Sequence, residues 1–379
     1  MNQYKSILIY GFAMFAMFFG SGNLVFPIQV GQATGANWLF GFIGLFFTGI
    51  LLPFLGLMVI KLHKGSYLAF FKEAGTLMGF VLPLFTLSLL GSFGIVPRCI
   101  TVAHGSVLDL FPGFSLIAFS LGFSILTYFL CLKDNVMIRI IGKWLSPIKF
   151  TALLILIYIA YLSAPESAAH VGGKEALTNG FLTGYQTMDL FAAFFFSALI
   201  FSQIEKSLPA STSSKDVIRY AIKPSILGAS LIALVYFGFV FLGSHYAELI
   251  RDVSPALYLP TIAKHTMGSG ATVFIAFAMP LSCLTTAVAL NNIYARYLCT
   301  TIKLEPSKFP LVLLGTTSMS FMISLLDFKG IAAFLAPALE LSYPSIILLT
   351  IMSIVTKAYT KTKMTVFYSV LFLMVFFWF

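Results

Sequence analysis

The sequence predicts an all-α polytopic membrane protein, a single bundle of about eleven transmembrane helices built as a five-plus-five inverted repeat with broken first and sixth helices. Three observations predict it. Of 379 residues, 59% are hydrophobic and only 9% charged, and the mean hydropathy of +0.97 lies far outside the range of soluble domains. Apolar runs of spanning length follow one another along the whole chain, joined by short connections. Two of these runs, five helices apart, are interrupted by glycine and polar residues at membrane depth, where freed backbone groups are tolerated only against protein or a polar cavity.

Taken in order, the runs cover residues 6–30, 38–60, 78–103, 114–132, 144–163, 180–203, 223–243, 270–298, 309–326, 330–355 and 364–379. The chain reads as one transporter domain over 1–379, with a first repeat over about 6–163, a second over about 180–355 and an extra helix over 364–379. An odd number of helices per repeat inverts the second copy. In span 1, Ile7 to Phe19 amounts to about 20 Å of helix at 1.5 Å per residue, only part of a bilayer. Phe19-Gly20-Ser21-Gly22-Asn23-Leu24-Val25-Phe26-Pro27 then clusters two glycines, an asparagine and a proline, all poor helix formers. Span 3 carries Gly91-Ser92-Phe93-Gly94-Ile95-Val96-Pro97-Arg98, a second glycine and proline interruption. Span 6 opens on Gly184-Tyr185-Gln186-Thr187-Met188-Asp189 before an apolar run from Leu190 to Phe201.

Counting basic residues sets the orientation. With a cytoplasmic N-terminus, 18 of the 23 Lys and Arg are counted on the inside, among them Lys133, Arg139, Lys143 and Lys149. The positive-inside rule therefore places the N-terminus in the cytoplasm and explains the net charge of +10 without nucleic acid, for which no basic domain exists. The N-terminal apolar run lacks a small-residue cleavage site and reads as a retained helix rather than a signal peptide. Cys99, Cys131, Cys283 and Cys299 are widely spaced and form neither a disulfide framework nor a zinc motif. There are no paired catalytic carboxylates, no His and Cys cluster and no phosphate loop, so the chain reads as no enzyme and as needing no cofactor.

The chemistry that remains belongs to binding. At the first break, N–H groups around Ser21 and Gly22 with the positive end of a half-helix attract a carboxylate, while freed carbonyls and the Asn23 amide oxygen suit an ammonium or a small cation. A zwitterion satisfies both, whereas the bland reading is a glycine packing notch capped by Asn23. At the second break, Tyr185, Thr187 and Asp189 gather a phenol, a hydroxyl and a carboxylate. Asp189 either neutralises an amine or cation, carries a coupled proton, or is a solvated residue at a helix start. In span 8, Ser282, Thr285 and Thr286 share a helix face, which suits sodium or simple bonding back to the previous turn. Arg98 either snorkels, pairs with an acid such as Asp109 or meets substrate; His104 reads as a packing histidine, and Glu340 remains open. Phe26 and phenylalanines of span 6 are candidates to wall an apolar side-chain pocket.

These residues carry a resemblance. Gly11-Phe12-Ala13 through Pro27, Ile95-Val96-Pro97-Arg98, Gly142-Lys143-Trp144-Leu145-Ser146-Pro147, the Gly184 to Asp189 segment and Cys283-Leu284-Thr285-Thr286-Ala287 occur in the order found in bacterial branched-chain amino acid:cation symporters. The chain resembles that family, within the amino acid-polyamine-organocation superfamily, over nearly its whole length. The resemblance implies the leucine-transporter-type fold, the bacterial inner membrane, and import of leucine, isoleucine and valine, usually by sodium symport; the residues alone leave open a proton-coupled carrier or exchanger of another small apolar solute, with Asp189 or Glu340 as the proton site, and more remotely an ion channel. The resemblance places Ser21, Gly22 and Asn23 against the amino acid with Tyr185 and Thr187 opposite, and sodium among the Ala16 and Phe19 carbonyls, Thr285 and Thr286. The chain departs from it in having about eleven rather than twelve spans, in Ile28 where a second proline is frequent, and in Ser92 where a proline often stands.

Overall fold

The computed structural model describes residues 3–108, 110–132, 136–167, 171–207, 214–356 and 360–378. Its secondary structure is helical throughout, with no strand among the described residues. Span 1 is Gln3–Phe18 and Ser21–Thr34, span 2 Trp38–Phe46 continuing through a π turn to Leu52–Leu62, and span 3 Met78–Leu90 and Ile95–Leu108. Span 4 is Leu116–Leu132, span 5 Val136–Leu162, and span 6 Gly173–Tyr185 and Asp189–Ser207. Span 7 is Ser214–His245, span 8 Ser269–Thr301, span 9 Phe309–Ser324, span 10 Asp327–Val355 and span 11 Thr360–Trp378, with a short helix Tyr258–Met267 between spans 7 and 8.

By length and apolarity alone, six described helical stretches can cross a bilayer, or seven with the bent pair Gly173–Tyr185 and Asp189–Glu205. One of the six, Ser21–Leu62, runs 42 residues, about 63 Å of helix and twice a hydrocarbon core. It turns at Gly35, whose φ of 53° lies in the region that favours glycine, and the helices on either side pack together, so it supplies the second half of span 1 and all of span 2. The shorter apolar helices Ile7–Phe18, Leu116–Leu132 and Ser146–Leu162 belong to spans 1, 4 and 5.

The contacts obey an exchange rule. Both halves of span 1 pack on span 7, and both halves of span 6 pack on span 2. Spans 3 and 8 pack together, as do 4 and 9; span 5 touches 1, 7 and 8, and span 10 touches 6, 2 and 3. Each of these pairings survives when a span is exchanged with the one five places on. That is the pattern of two interlocked five-helix units, in which the broken helices lie at the centre.

The two central crossings rest on backbone contact. A Cβ on Gly31 would lie 1.9 Å from the Val240 carbonyl oxygen, and one on Gly243 1.9 Å from that of Ile28. Between spans 2 and 6, a Cβ on Gly180 would lie 1.9 Å from the Gly41 oxygen and one on Gly44 2.1 Å from that of Leu177. Without an aqueous hydrophobic drive between helices, such close approach supplies the packing.

Candidate substrate site

The site begins with the two breaks. In span 1 the helix stops at Phe18 and restarts at Ser21, with Gly20 extended at φ −105° and ψ −158°. It then continues through Pro27 instead of ending there; the proline lacks an N–H for the Asn23 carbonyl, four residues back, so a backbone acceptor is freed one turn into the second half. Asn23 Oδ1 accepts the Gly20 N–H at 3.0 Å, closing the restarted helix.

In span 6 the break lies deeper than the apolar run suggests. The helix begins at Gly173, so 13 residues precede the break and 19 follow it. Its polar opening, Gly173-Lys174-Glu175, hides this half from a hydropathy scan. The halves bend by 45°, and Met188 at the turn has φ 57°, a strained conformation for a side chain of its kind. Asp189 starts the second half and is 2% exposed, which removes the reading of a solvated surface residue. Thr187 accepts the Asp189 N–H at 3.3 Å and donates to the Gly184 carbonyl at 2.9 Å, acting as the local cap.

The breaks meet. Asn23 Nδ2 donates to Asp189 Oδ2 at 2.7 Å, and the Tyr236 hydroxyl of span 7 donates to the same oxygen at 2.9 Å while also contacting Asn23 Nδ2. A Cβ on Gly22 would sit 3.5 Å from Thr187 Cα, so the two backbones face one another across a narrow gap. Ser21, fully buried, accepts a hydrogen bond from the Cys99 thiol at 3.5 Å. Tyr185 turns elsewhere: its ring stacks on Tyr343 at 4.5 Å, and Tyr343 also meets Phe191 at 4.5 Å, forming an aromatic wall. Of the residues assigned to the amino acid, Asn23, Asp189, Gly22 and Thr187 thus come together, Ser21 lies on the adjoining turn, and Tyr185 stacks its ring on Tyr343. A cavity of about 20 Å³, room for one water, touches Asp189 between spans 1, 2, 6 and 7.

Arg98 closes one side. Its Nη1 donates to the Gln186 carbonyl at 2.6 Å and its Nη2 to Gln186 Oε1 at 2.8 Å. The guanidinium carbon lies 5.0 Å from the Phe26 ring and 5.7 Å from that of Phe328, so both rings pack beside the arginine. Arg98 pairs with the span 6 break rather than snorkelling, and Asp109 lies outside the described residues. His104 Nε2 donates to the Phe114 carbonyl at 2.7 Å, in keeping with a packing histidine.

The region assigned to sodium holds a surprise. Lys149, counted above with the loop charges, lies in the middle of span 5 and is buried. Its Nζ donates to the Phe19 carbonyl at 3.3 Å and to Ser282 Oγ at 2.8 Å, and Ser282 in turn donates to Phe19 O at 3.3 Å. The ammonium also lies 4.9 Å from the Phe19 ring and 5.5 Å from that of Phe15. Thr286 lies against Gly20, where a Cβ would meet its methyl at 3.0 Å, and donates to the Ser282 carbonyl at 3.3 Å; Thr285 donates to the same carbonyl at 2.8 Å. The Gly20 N–H, the usual helical donor to Ala16, is shared between Phe18 O at 2.8 Å and Asn23 Oδ1 at 3.0 Å. The oxygens are of the kind sodium takes, but a sodium ion among them would lie against the ammonium. Like charges about 4 Å apart repel by about 4 kcal/mol at an effective dielectric of about 20, so this donor set does not fit a bound sodium ion.

Sequence reasoning missed Tyr236, Lys149, Gln186 and Phe328. Lys149 carried a signal, since it stands inside an apolar run, two residues after Pro147, where a charge has no loop to occupy. Tyr236 carried none, because a tyrosine between Val235 and Phe237 reads as packing.

Comparison with known proteins bears on the family and the fold. Residues 3–378 match the model of the family described as branched-chain amino acid transport protein. The branched-chain amino acid permease BraB of Bacillus subtilis is 29% identical over 375 residues, covering 95% of this chain and 82% of that protein. The branched-chain amino acid transport system 3 carrier protein of Pseudomonas aeruginosa is 30% identical over 356 residues, covering 92% and 80%. Among solved structures, the Eremococcus coleocola manganese transporter in complex with an aromatic bis-isothiourea compound superposes with a TM-score of 0.69 at 14% identity, over 99% of this chain and 86% of that one. Mhp1, a nucleobase-cation-symport-1 family transporter in a closed conformation, gives 0.62 at 14% identity over 91% and 77%. At such identities these structures show the fold alone, the broken-helix transporter bundle. The chain belongs to the branched-chain amino acid transport protein family, an integral membrane family of carriers rather than enzymes.

Proposed function

We propose that this protein is a secondary active carrier that imports leucine, isoleucine and valine across a bacterial cytoplasmic membrane by alternating access, with its N-terminus in the cytoplasm. The observation that carries this reading is the meeting of two helix breaks at Asn23, Asp189 and Tyr236, with Phe26, Phe191, Phe328 and Tyr343 close by. Free helix ends offer N–H groups to a carboxylate, Asp189 and the freed carbonyls accept an ammonium, and the aromatic wall suits a branched apolar side chain. Family membership supports the same substrate class. In the described arrangement Asn23 and Asp189 bond one another, so an arriving amino acid exchanges those bonds for its own and parts the breaks.

Sodium symport is the coupling the resemblance implies, with the Ala16 and Phe19 carbonyls, Thr285 and Thr286 as ligands. A second reading, proton-coupled carriage or exchange without sodium, is favoured by Lys149 at the Phe19 carbonyl, and it gives Asp189 the role of proton carrier. The substrate assignment is tested by counterflow. Proteoliposomes loaded with unlabelled leucine should take up labelled leucine in a transient overshoot, and internal isoleucine or valine should support it while internal lysine does not. Flat uptake with all three branched-chain amino acids would refute the carrier reading.

A further inference from the structure

We propose that Lys149 is a built-in cation that takes the place of a coupling sodium ion, so that this carrier binds its substrate without sodium; the inference rests on the carrier reading above and deepens it. Two independent observations carry it. At the first break, the Lys149 ammonium joins spans 1, 5 and 8 through the Phe19 carbonyl and the Ser282 hydroxyl, the task an alkali cation would otherwise perform there. At the second break, the Arg98 guanidinium of span 3 does the same for span 6, through the Gln186 carbonyl and side chain.

The two placements share one physical logic. Each basic group sits at the carbonyl end of a half-helix, Gln3–Phe18 for Lys149 and Gly173–Tyr185 for Arg98, where the peptide dipoles and unpaired carbonyls favour positive charge. Among the described residues neither is paired with a carboxylate. The ionisable groups facing Lys149 from spans 3 and 8 are the buried thiols Cys99 and Cys283. With no acid to neutralise it, the ammonium's partners are the helix-end carbonyl, a hydroxyl and the Phe15 and Phe19 ring faces. Its charge therefore belongs to the cation site and not to a structural ion pair. A sodium ion entering the same oxygens would be weakened by about a thousandfold through like-charge repulsion. Because the lysine stays with the protein, no sodium needs to cross with each substrate molecule.

The test separates the cation from the substrate. Thermal unfolding of the purified full chain is followed in sodium chloride against choline chloride, with no amino acid present. The native protein should show no sodium-specific rise in melting temperature, whereas Lys149→Ala, which empties the position of charge and bulk, should gain one. Labelled leucine should bind the native protein within twofold in the two salts. In choline, Lys149→Ala should bind it at least tenfold more weakly, with sodium restoring part of the loss and Lys223→Ala, on an exposed position of span 7, unchanged. A sodium-specific stabilisation of the native protein, or leucine binding that needs sodium, would overturn the proposal, as would undiminished leucine binding by Lys149→Ala in choline. Should Lys149→Ala fail to fold, Lys149→Gln replaces it, and the native protein's two salt comparisons stand without any variant. Absence of binding by leucine, isoleucine and valine in every salt would refute the carrier reading instead, while the sodium effect on unfolding still decides the cation site.

Discussion

Asn23 and Asp189 sit 166 positions apart in sequence and 2.7 Å apart in space, and the Tyr236 hydroxyl completes their contact. Removing one partner of a buried hydrogen bond costs about 1–3 kcal/mol, roughly fivefold to a hundredfold in affinity. Tyr236→Phe, which deletes only the oxygen, should raise the KM for leucine within that range and leave the amount of folded protein unchanged. An unaltered KM would remove Tyr236 from the site. Asn23→Ala should abolish uptake, since the same side chain also closes the restarted helix at Gly20; normal transport by this variant would contradict the assignment. At this scale the sequence was legible wherever a polar residue interrupts an apolar run, which exposes Asn23, Thr187 and Asp189. It was silent on Tyr236, whose one polar atom is masked by an apolar ring, and it misled on Lys149, whose nearness to basic residues 133–143 resembles a loop.

Among elements, the broken helices are held by neighbours that approach to backbone contact. Gly180→Ala and Gly243→Ala would each drive a Cβ to 1.9 Å from a carbonyl oxygen of the facing helix. Overpacking of this sort costs about 1–3 kcal/mol or more, so both variants should lower the melting temperature in detergent by several degrees. Gly122→Ala and Gly315→Ala meet nothing within 4 Å and should be neutral or slightly stabilising, by up to about 1 kcal/mol from helix propensity. Equal behaviour of the two pairs would refute the crossing geometry. The first break was legible because glycines, asparagine and proline crowd one mid-span segment. The first half of span 6 was mostly illegible, since Lys174, Glu175, Thr178 and Asn179 give it the look of a loop although tertiary packing on span 2 makes it helix. Pro27, a poor helix former inside span 1, lies within the restarted helix, because a neighbouring span can stabilise a helix that has lost one hydrogen bond.

Across the whole molecule, the exchange pattern of contacts makes the two five-helix units interlock, with both breaks where the units meet. A separate tie lies outside the membrane core. Glu73, in the connection between spans 2 and 3, receives Lys363 of span 11 at 2.8 Å and contacts His63 at 3.0 Å and Ser353 of span 10. Burial pushes the Glu73 carboxyl up, but hydrogen bonds from Lys363, Ser353 and His63 outweigh it and hold the group below its ordinary 4.5. A carboxyl depressed on folding stabilises the fold fully above its unfolded value and loses that contribution as pH falls through its folded value. Acid unfolding should therefore steepen below about pH 4.5, and Glu73→Gln should flatten that limb; an identical acid limb in the variant would exclude the tie.

The central claim, a branched-chain amino acid carrier whose cation is its own lysine, is tested most directly by concentrative uptake of labelled leucine into proteoliposomes under imposed gradients of sodium, potassium or protons. The account predicts accumulation under an inward proton gradient in sodium-free medium, suppressed by excess isoleucine or valine, with no further gain from sodium. Accumulation that appears only with an inward sodium gradient would contradict it.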